Sequence, residues 1–165
     1  MPISELAPPP RQAAKLVLAS GQQIDAIRTL WREYWDSLAL PPDFQSFAEE
    51  HRTLPGIYAP PAGRLLLALI DGEPAGTAAL RPLILDSCEA KRLYVRPCYR
   101  GRGLGKALLD RLVSEARAAG YQEMYGDTLK SMTSALQMYT QIGFSEVPPY
   151  SPNPMPGAIF LRLAL

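Results

Sequence analysis

The sequence predicts a mixed α/β (α+β) domain with an N-terminal helical layer, and three observations support that prediction. Arg64 to Ile70, Ala75 to Arg81 and Ser87 to Val95 are strand-like runs, the first two joined by the turn residues Asp71-Gly72-Glu73-Pro74. Leu104 to Ala119 places Leu104, Leu108, Leu112 and Ala116 at four-residue spacing, widened by Leu109 and Val113, and Gly120 ends the helix. Strand and helix patterns then alternate. Gln122 to Thr128 reads as a strand and Ser131 to Ile142 as a helix stopped by Gly143. Phe144 to Val147 and Ala158 to Leu163 read as strands flanking a proline-rich loop.

Ahead of these elements, Ala14 to Ala19 reads as a short strand. Ser20 is placed to cap a helix whose apolar positions are Ile24, Ile27, Trp31, Tyr34, Trp35 and Leu38. A second short helix is expected from Asp43 to about Arg52, ended before Pro55, and Gly56 to Gly63 is irregular. At 165 residues and 18.1 kDa the chain has the size of one domain, spanning 1–165, with residues 1–12 expected as a flexible tail.

Composition excludes several classes of function. With 47% hydrophobic and 20% charged residues the chain can bury a core, and a net charge of +1 gives no bulk attraction to nucleic acid or membrane. The apolar run Leu65 to Ile70 is far below the ~20 residues of a membrane helix. Cys88 and Cys98 match no metal spacing and are too few for a disulfide framework, so no metal is expected and the compartment expected is a reducing cytoplasm. The cations are nevertheless concentrated locally, in Lys91, Arg92, Arg96, Arg100, Arg102 and Lys106.

That concentration overlaps the most informative stretch, Val95-Arg96-Pro97-Cys98-Tyr99-Arg100-Gly101-Arg102-Gly103-Leu104-Gly105-Lys106, which lies between a strand and the strongest helix. Glycines let the backbone approach a ligand closely, and free amides at a helix start favour phosphate. A Walker loop needs four residues between its glycines and Ser or Thr after the lysine. Gly101 and Gly105 enclose three, and Ala107 follows Lys106. A dinucleotide fingerprint needs glycine where Lys106 stands.

Arg100, Gly103 and Gly105 resemble motif A of the GNAT superfamily of acyl-CoA N-acyltransferases: Arg or Gln, two residues, Gly, one residue, Gly or Ala. Glu89-Ala90-Lys91-Arg92-Leu93-Tyr94-Val95 resembles the strand preceding that motif. Ala135-Leu136-Gln137-Met138-Tyr139-Thr140-Gln141-Ile142-Gly143-Phe144 resembles motif B. The resemblance implies the GNAT fold, a mixed, mostly antiparallel sheet flanked by helices, and transfer of an acetyl group from acetyl-CoA to a primary amine by direct attack. Arg100, Gly101, Arg102, Gly103, Leu104, Gly105 and Lys106 would hold the pyrophosphate, and the backbone of Leu93, Tyr94 and Val95 would align the pantetheine arm. Tyr139 would protonate the departing thiolate, and Glu89 occupies the position of the general base in some members. Motif B often has an asparagine seven residues before its tyrosine, and Met132 stands there. The acceptor implied is a small-molecule amine, and a homodimer is compatible with the family.

Each of these residues also has a plainer reading. The glycines could form only a flexible turn, and Tyr139 could be a packing aromatic. Glu89 could be a strand carboxylate paired with a basic residue across the sheet. His51 is expected on a solvated face, Cys88 and Cys98 in packing roles, and Trp31 and Trp35 in the core, one of them able to line an acceptor pocket. The proline-rich segment Val147 to Gly157 is either a rigid connection or a wall of that pocket presenting Tyr150 and Asn153. Two other functions compete with transfer to a small molecule: a non-catalytic acyl-CoA-binding or sensing domain, and a protein or peptide N-acetyltransferase.

Overall fold

A computed structural model describes residues 13–165; the expected tail at residues 1–12 lies outside them. Seven strands form one sheet: β1 Lys15–Leu18, β2 Arg64–Ile70, β3 Glu73–Pro82, β4 Ser87–Val95, β5 Glu123–Leu129, β6 Ser145–Val147 and β7 Ala158–Ala164, in the spatial order β1-β2-β3-β4-β5-β7-β6. All neighbours are antiparallel except β4 and β5. Among the described residues four α-helices cover the sheet: α1 Gln23–Leu38, α2 Phe47–Thr53, α3 Leu104–Ala118 and α4 Thr133–Ile142. No helix among the described residues is long and apolar enough to cross a membrane.

The turn between β2 and β3 shows how local sequence sets register. Asp71 and Gly72 have φ of 51° and 80°, the paired left-handed geometry of a two-residue hairpin loop. The strand therefore resumes at Glu73, earlier than the expected Ala75. Because helices pack on both faces, β2 is apolar from Leu65 to Ile70 instead of alternating, with only Arg64 and Leu69 partly exposed. Leu66, Ala68 and Ile70 face a core shared with Leu108, Leu109 and Leu112 of α3. Leu65 and Leu67 face a second core built on Ile27, Leu30 and Trp31 of α1.

Several local expectations are corrected. α1 begins at Gln23 with no side-chain cap, because the Ser20 carbonyl accepts the Gln23 amide while the Gln23 side chain bonds back to Ser20 N–H. His51 does not lie on a solvated face: its Nε2 meets the Arg28 carbonyl at 3.1 Å and its ring packs beside Phe47, tying α2 to α1. Burial pushes its pKa down. Cys88 is buried and its thiol is pushed up to about 12 by desolvation, whereas Cys98 is exposed and does not pack.

Candidate functional site

Strands β4 and β5 run parallel for only three paired positions, Ser87 with Glu123, Cys88 with Met124 and Glu89 with Tyr125. Beyond Glu89 they separate, so β4 from Ala90 to Val95 presents backbone with no β5 partner to a wedge-shaped opening. A cavity occupies this wedge. Its lining comes from α1 (Tyr34, Trp35), the turn at Phe44 and Gln45, β4 (Lys91, Arg92), β5 (Asp127), α4 (Tyr139) and the proline-rich loop (Asn153, Met155). The parting strands, the short turns and the loop thus converge on one place.

A bulge in β4 decides which side chains face which way. Register with β3 shifts between Ala79, opposite Lys91, and Thr77, opposite Tyr94, and Arg92 there has φ 57°. The extra residue turns Lys91 and Arg92 both toward the α1 face and sends Leu93 and Val95 toward α3. Arg92 is buried, with Nη2 donating to the Gln45 carbonyl (3.2 Å) and to Glu50 (3.1 Å). Its guanidinium lies 4.8 Å from the Trp35 ring centroid and 5.3 Å from that of Phe47.

Glu89 sits directly opposite Arg81 and is fully buried. Its Oε1 accepts from Arg81 at 2.9 Å and its Oε2 from the Tyr150 hydroxyl at 2.6 Å, with Lys91 Nζ at 3.7 Å. The carboxylate does not line the cavity, both its oxygens are engaged, and the alternative of a cross-sheet pair is the arrangement found. Asn153 lines the cavity and donates a 3.0 Å hydrogen bond to Asp127, whereas Tyr150 packs behind the lining against Glu89, Tyr125 and Phe160. Tyr150 is shifted to ionise only at high pH by burial and by the adjacent Glu89 charge.

Tyr139 projects from α4 into the cavity, with its ring 3.5 Å from where a side chain would begin on Gly126 of β5. Burial, followed by the fields of Tyr34, Asp127 and Glu89, raises its pKa, so the phenol keeps its proton across the physiological range. Met132, where the motif B asparagine would stand, also lines the cavity and supplies a thioether instead of an amide.

The glycine stretch forms the loop leading into α3. Gly101 and Gly103 have φ of 76° and 78°, a region that disfavours side chains, and the space beside each is open. The first backbone bond into the helix runs from Ala107 to Gly103 at 3.0 Å. The amides of Leu104, Gly105 and Lys106 therefore have no intrahelical acceptor, and no side chain caps them. These are the features an acyl-CoA pyrophosphate needs, and the loop fits it.

The expected cationic cluster, by contrast, is dispersed. Lys91 and Arg92 are buried on the α1 face, Arg96 pairs with Glu33 at 2.6 Å, and Lys106 pairs with Asp110 at 2.7 Å. Arg100 donates to the Val95 carbonyl and Arg102 lies over Tyr99. The Tyr94 side chain is buried, stacks on Tyr34 at 5.4 Å and lies beneath the Arg100 guanidinium at 5.8 Å.

Sequence reasoning missed Asp127, Lys91 and Gln45. Lys91 is almost fully buried, and desolvation lowers its pKa despite Glu89 and Asp127 nearby. Gln45 reaches Asp127 across 82 positions of chain, a contact that no local pattern signals.

A mostly antiparallel sheet opened between two parallel strands, with a glycine loop at one end of the opening and a tyrosine within it, defines an acyl-CoA-dependent transferase fold. The profile of the acetyltransferase (GNAT) family matches residues 24–144, and the chain belongs to that family. It is 34% identical over 146 residues to an uncharacterized N-acetyltransferase of Schizosaccharomyces pombe, covering 87% of this chain and 90% of that one. An acetyltransferase of the GNAT family from Staphylococcus aureus superposes with a TM-score of 0.77 at 19% identity, covering 92% and 99% of the two chains. An acetyltransferase of Salmonella typhimurium, solved with acetyl-CoA, gives a TM-score of 0.65 at 21% identity, covering 92% and 94%. The protein is accordingly an acetyltransferase that uses an acyl-CoA cosubstrate.

Proposed function

We infer that the protein transfers an acetyl group from acetyl-CoA to a primary amine of a small molecule by direct attack, acting as one domain in the cytoplasm. The observation that best supports this is the wedge between β4 and β5, which joins the amide-rich loop at Gly101 to Lys106 to a cavity containing a protonated tyrosine. In this reading Arg100 to Lys106 receive the pyrophosphate on backbone amides, and the free backbone of Leu93 to Val95 aligns the pantetheine. The incoming ammonium first releases one proton to solvent. The amine nitrogen then attacks the acetyl carbon, the C–N bond forms and the C–S bond breaks. Tyr139 gives its proton to the sulfur, and the second N–H proton replaces the one it gave. Glu89 acts here by position: it accepts from the Tyr150 hydroxyl and lies 3.7 Å from the ammonium of Lys91, which lines the cavity.

Two features favour a small acceptor over a protein. The loop from Val147 to Gly157 closes one side of the cavity through Asn153 and Met155, and aromatic residues of α1 close the other. Tyr139→Phe tests the catalytic reading. Turnover should fall about 100-fold or more, the usual scale of a lost general acid, while acetyl-CoA affinity is unchanged. Unchanged turnover in a variant that binds acetyl-CoA would refute the acid role. A parent protein that binds acetyl-CoA but acetylates neither small amines nor peptides would be a sensing domain.

A further inference from the structure

Asp127 lies on β5 just past the point where that strand leaves β4, and it is the one acidic side chain lining the cavity among the described residues. Glu50 and Glu89 stand behind the wall, bound by Arg81, Arg92 and two tyrosine hydroxyls. The Asp127 carboxylate is held from two separate loops. Its Oδ2 accepts from Gln45 Nε2 at 2.7 Å and from Asn153 Nδ2 at 3.0 Å. Both donors are neutral amides, so they orient the group without cancelling its charge. Its Oδ1 accepts no hydrogen bond among the described residues, since the nearest cation, Lys91 Nζ, stands at 3.9 Å and is shared with Glu89 at 3.7 Å. An oriented carboxylate oxygen without a donor, in a largely apolar cavity, is a place for a cation that brings its own N–H groups.

We propose that Asp127 is the residue that anchors the acceptor's ammonium, and that the acceptor is a primary amine on an alkyl or aryl-alkyl stem. This rests on the acetyl-transfer reading above. The remaining lining fits the stem: Trp35, Leu38, Leu40, Phe44, Met132 and Met155 offer apolar and aromatic surface. Of the cations in the lining, Arg92 is engaged by Glu50 and the Gln45 carbonyl, which leaves it no ready place for an acceptor carboxylate. Position also suits the chemistry. Asp127 and Tyr139 line the same cavity, so an amine held at Asp127 shares that space with the proposed acid.

The test uses the full chain with acetyl-CoA, 2-phenylethylamine and n-hexylamine as probe acceptors, and a short peptide with a free N-terminus as comparison. Asp127→Asn keeps the shape and an acceptor for Gln45 and Asn153 but removes the charge. It should raise KM for both amines by about tenfold or more, the scale of a lost charge-assisted hydrogen bond, with acetyl-CoA affinity by calorimetry unchanged. Gln45→Ala, in a half-buried turn, should raise the same KM several-fold and gives a second variant should Asp127→Asn fail to fold. Parent and variant with equal amine KM overturn the proposal while leaving acetyl transfer standing. So does a parent that acetylates the peptide but neither amine. A parent that does not bind acetyl-CoA overturns both.

Discussion

Replacing Arg92 with methionine removes a buried charge while keeping most of the side-chain volume, and its cost follows from the contacts. The guanidinium is paired with Glu50 at 3.1 Å and lies over the rings of Trp31, Trp35 and Phe47. Breaking a buried ion pair from one side costs about 3–5 kcal/mol. Glu50 would still hold Arg81 at 2.7 Å and the Tyr58 hydroxyl, which places the loss near the lower figure, about 3 kcal/mol. For a chain of this size each kcal/mol moves Tm by about 2–4 °C, so thermal unfolding followed by circular dichroism should show a fall of about 6–12 °C. As a contrast, Arg52→Ala breaks a pair in which both side chains are well exposed, and it should leave Tm unchanged. A fall below about 2 °C for Arg92→Met would refute the argument that this charge is held by burial and pairing.

Other outcomes follow from the same structure. Gly63→Ala should lower stability by about 1–3 kcal/mol in thermal melts, because the new methyl would collide with the Tyr58 backbone. Tyr150→Ala should raise the acceptor KM without changing acetyl-CoA affinity, since it removes the hydroxyl that bonds Glu89. Alkaline pH should destabilise the fold. Unfolded phenols ionise near pH 10.0, whereas burial raises Tyr58, Tyr139 and Tyr150 above that value. The folded chain therefore holds more protons there, and the stability these groups contribute below pH 10 is lost as pH rises beyond it. Phenolate absorbance should appear for these three together with loss of circular dichroism, and its appearance in a still-folded protein would contradict their burial.

The parts legible in the sequence were those set by local physics. The four-residue spacing of Leu104, Leu108, Leu112 and Ala116 marks α3, and Asp71-Gly72 marks the hairpin because few other pairs tolerate two positive φ angles. The glycine loop was legible for the same reason, since Gly101 and Gly103 adopt left-handed φ at a helix start. The roles of cations and carboxylates were not. Whether Arg92 faces solvent or core depends on one extra residue in β4, and the partner of Glu89 depends on its register with Arg81. Asp127 gains its orientation from Gln45 and Asn153, which no periodicity connects to it.

The central claim is that the loop before α3 holds the acyl-CoA cosubstrate on open backbone amides. Asn tolerates left-handed φ and the space beside Gly101 and Gly103 is open, so Gly101→Asn with Gly103→Asn should fold as the parent does while filling the place where phosphates would lie. Calorimetric titration with acetyl-CoA should give saturable one-site binding for the parent and an affinity weaker by about tenfold or more for the folded double variant. Equal affinity in the two proteins, or no binding by the folded parent, would contradict the claim.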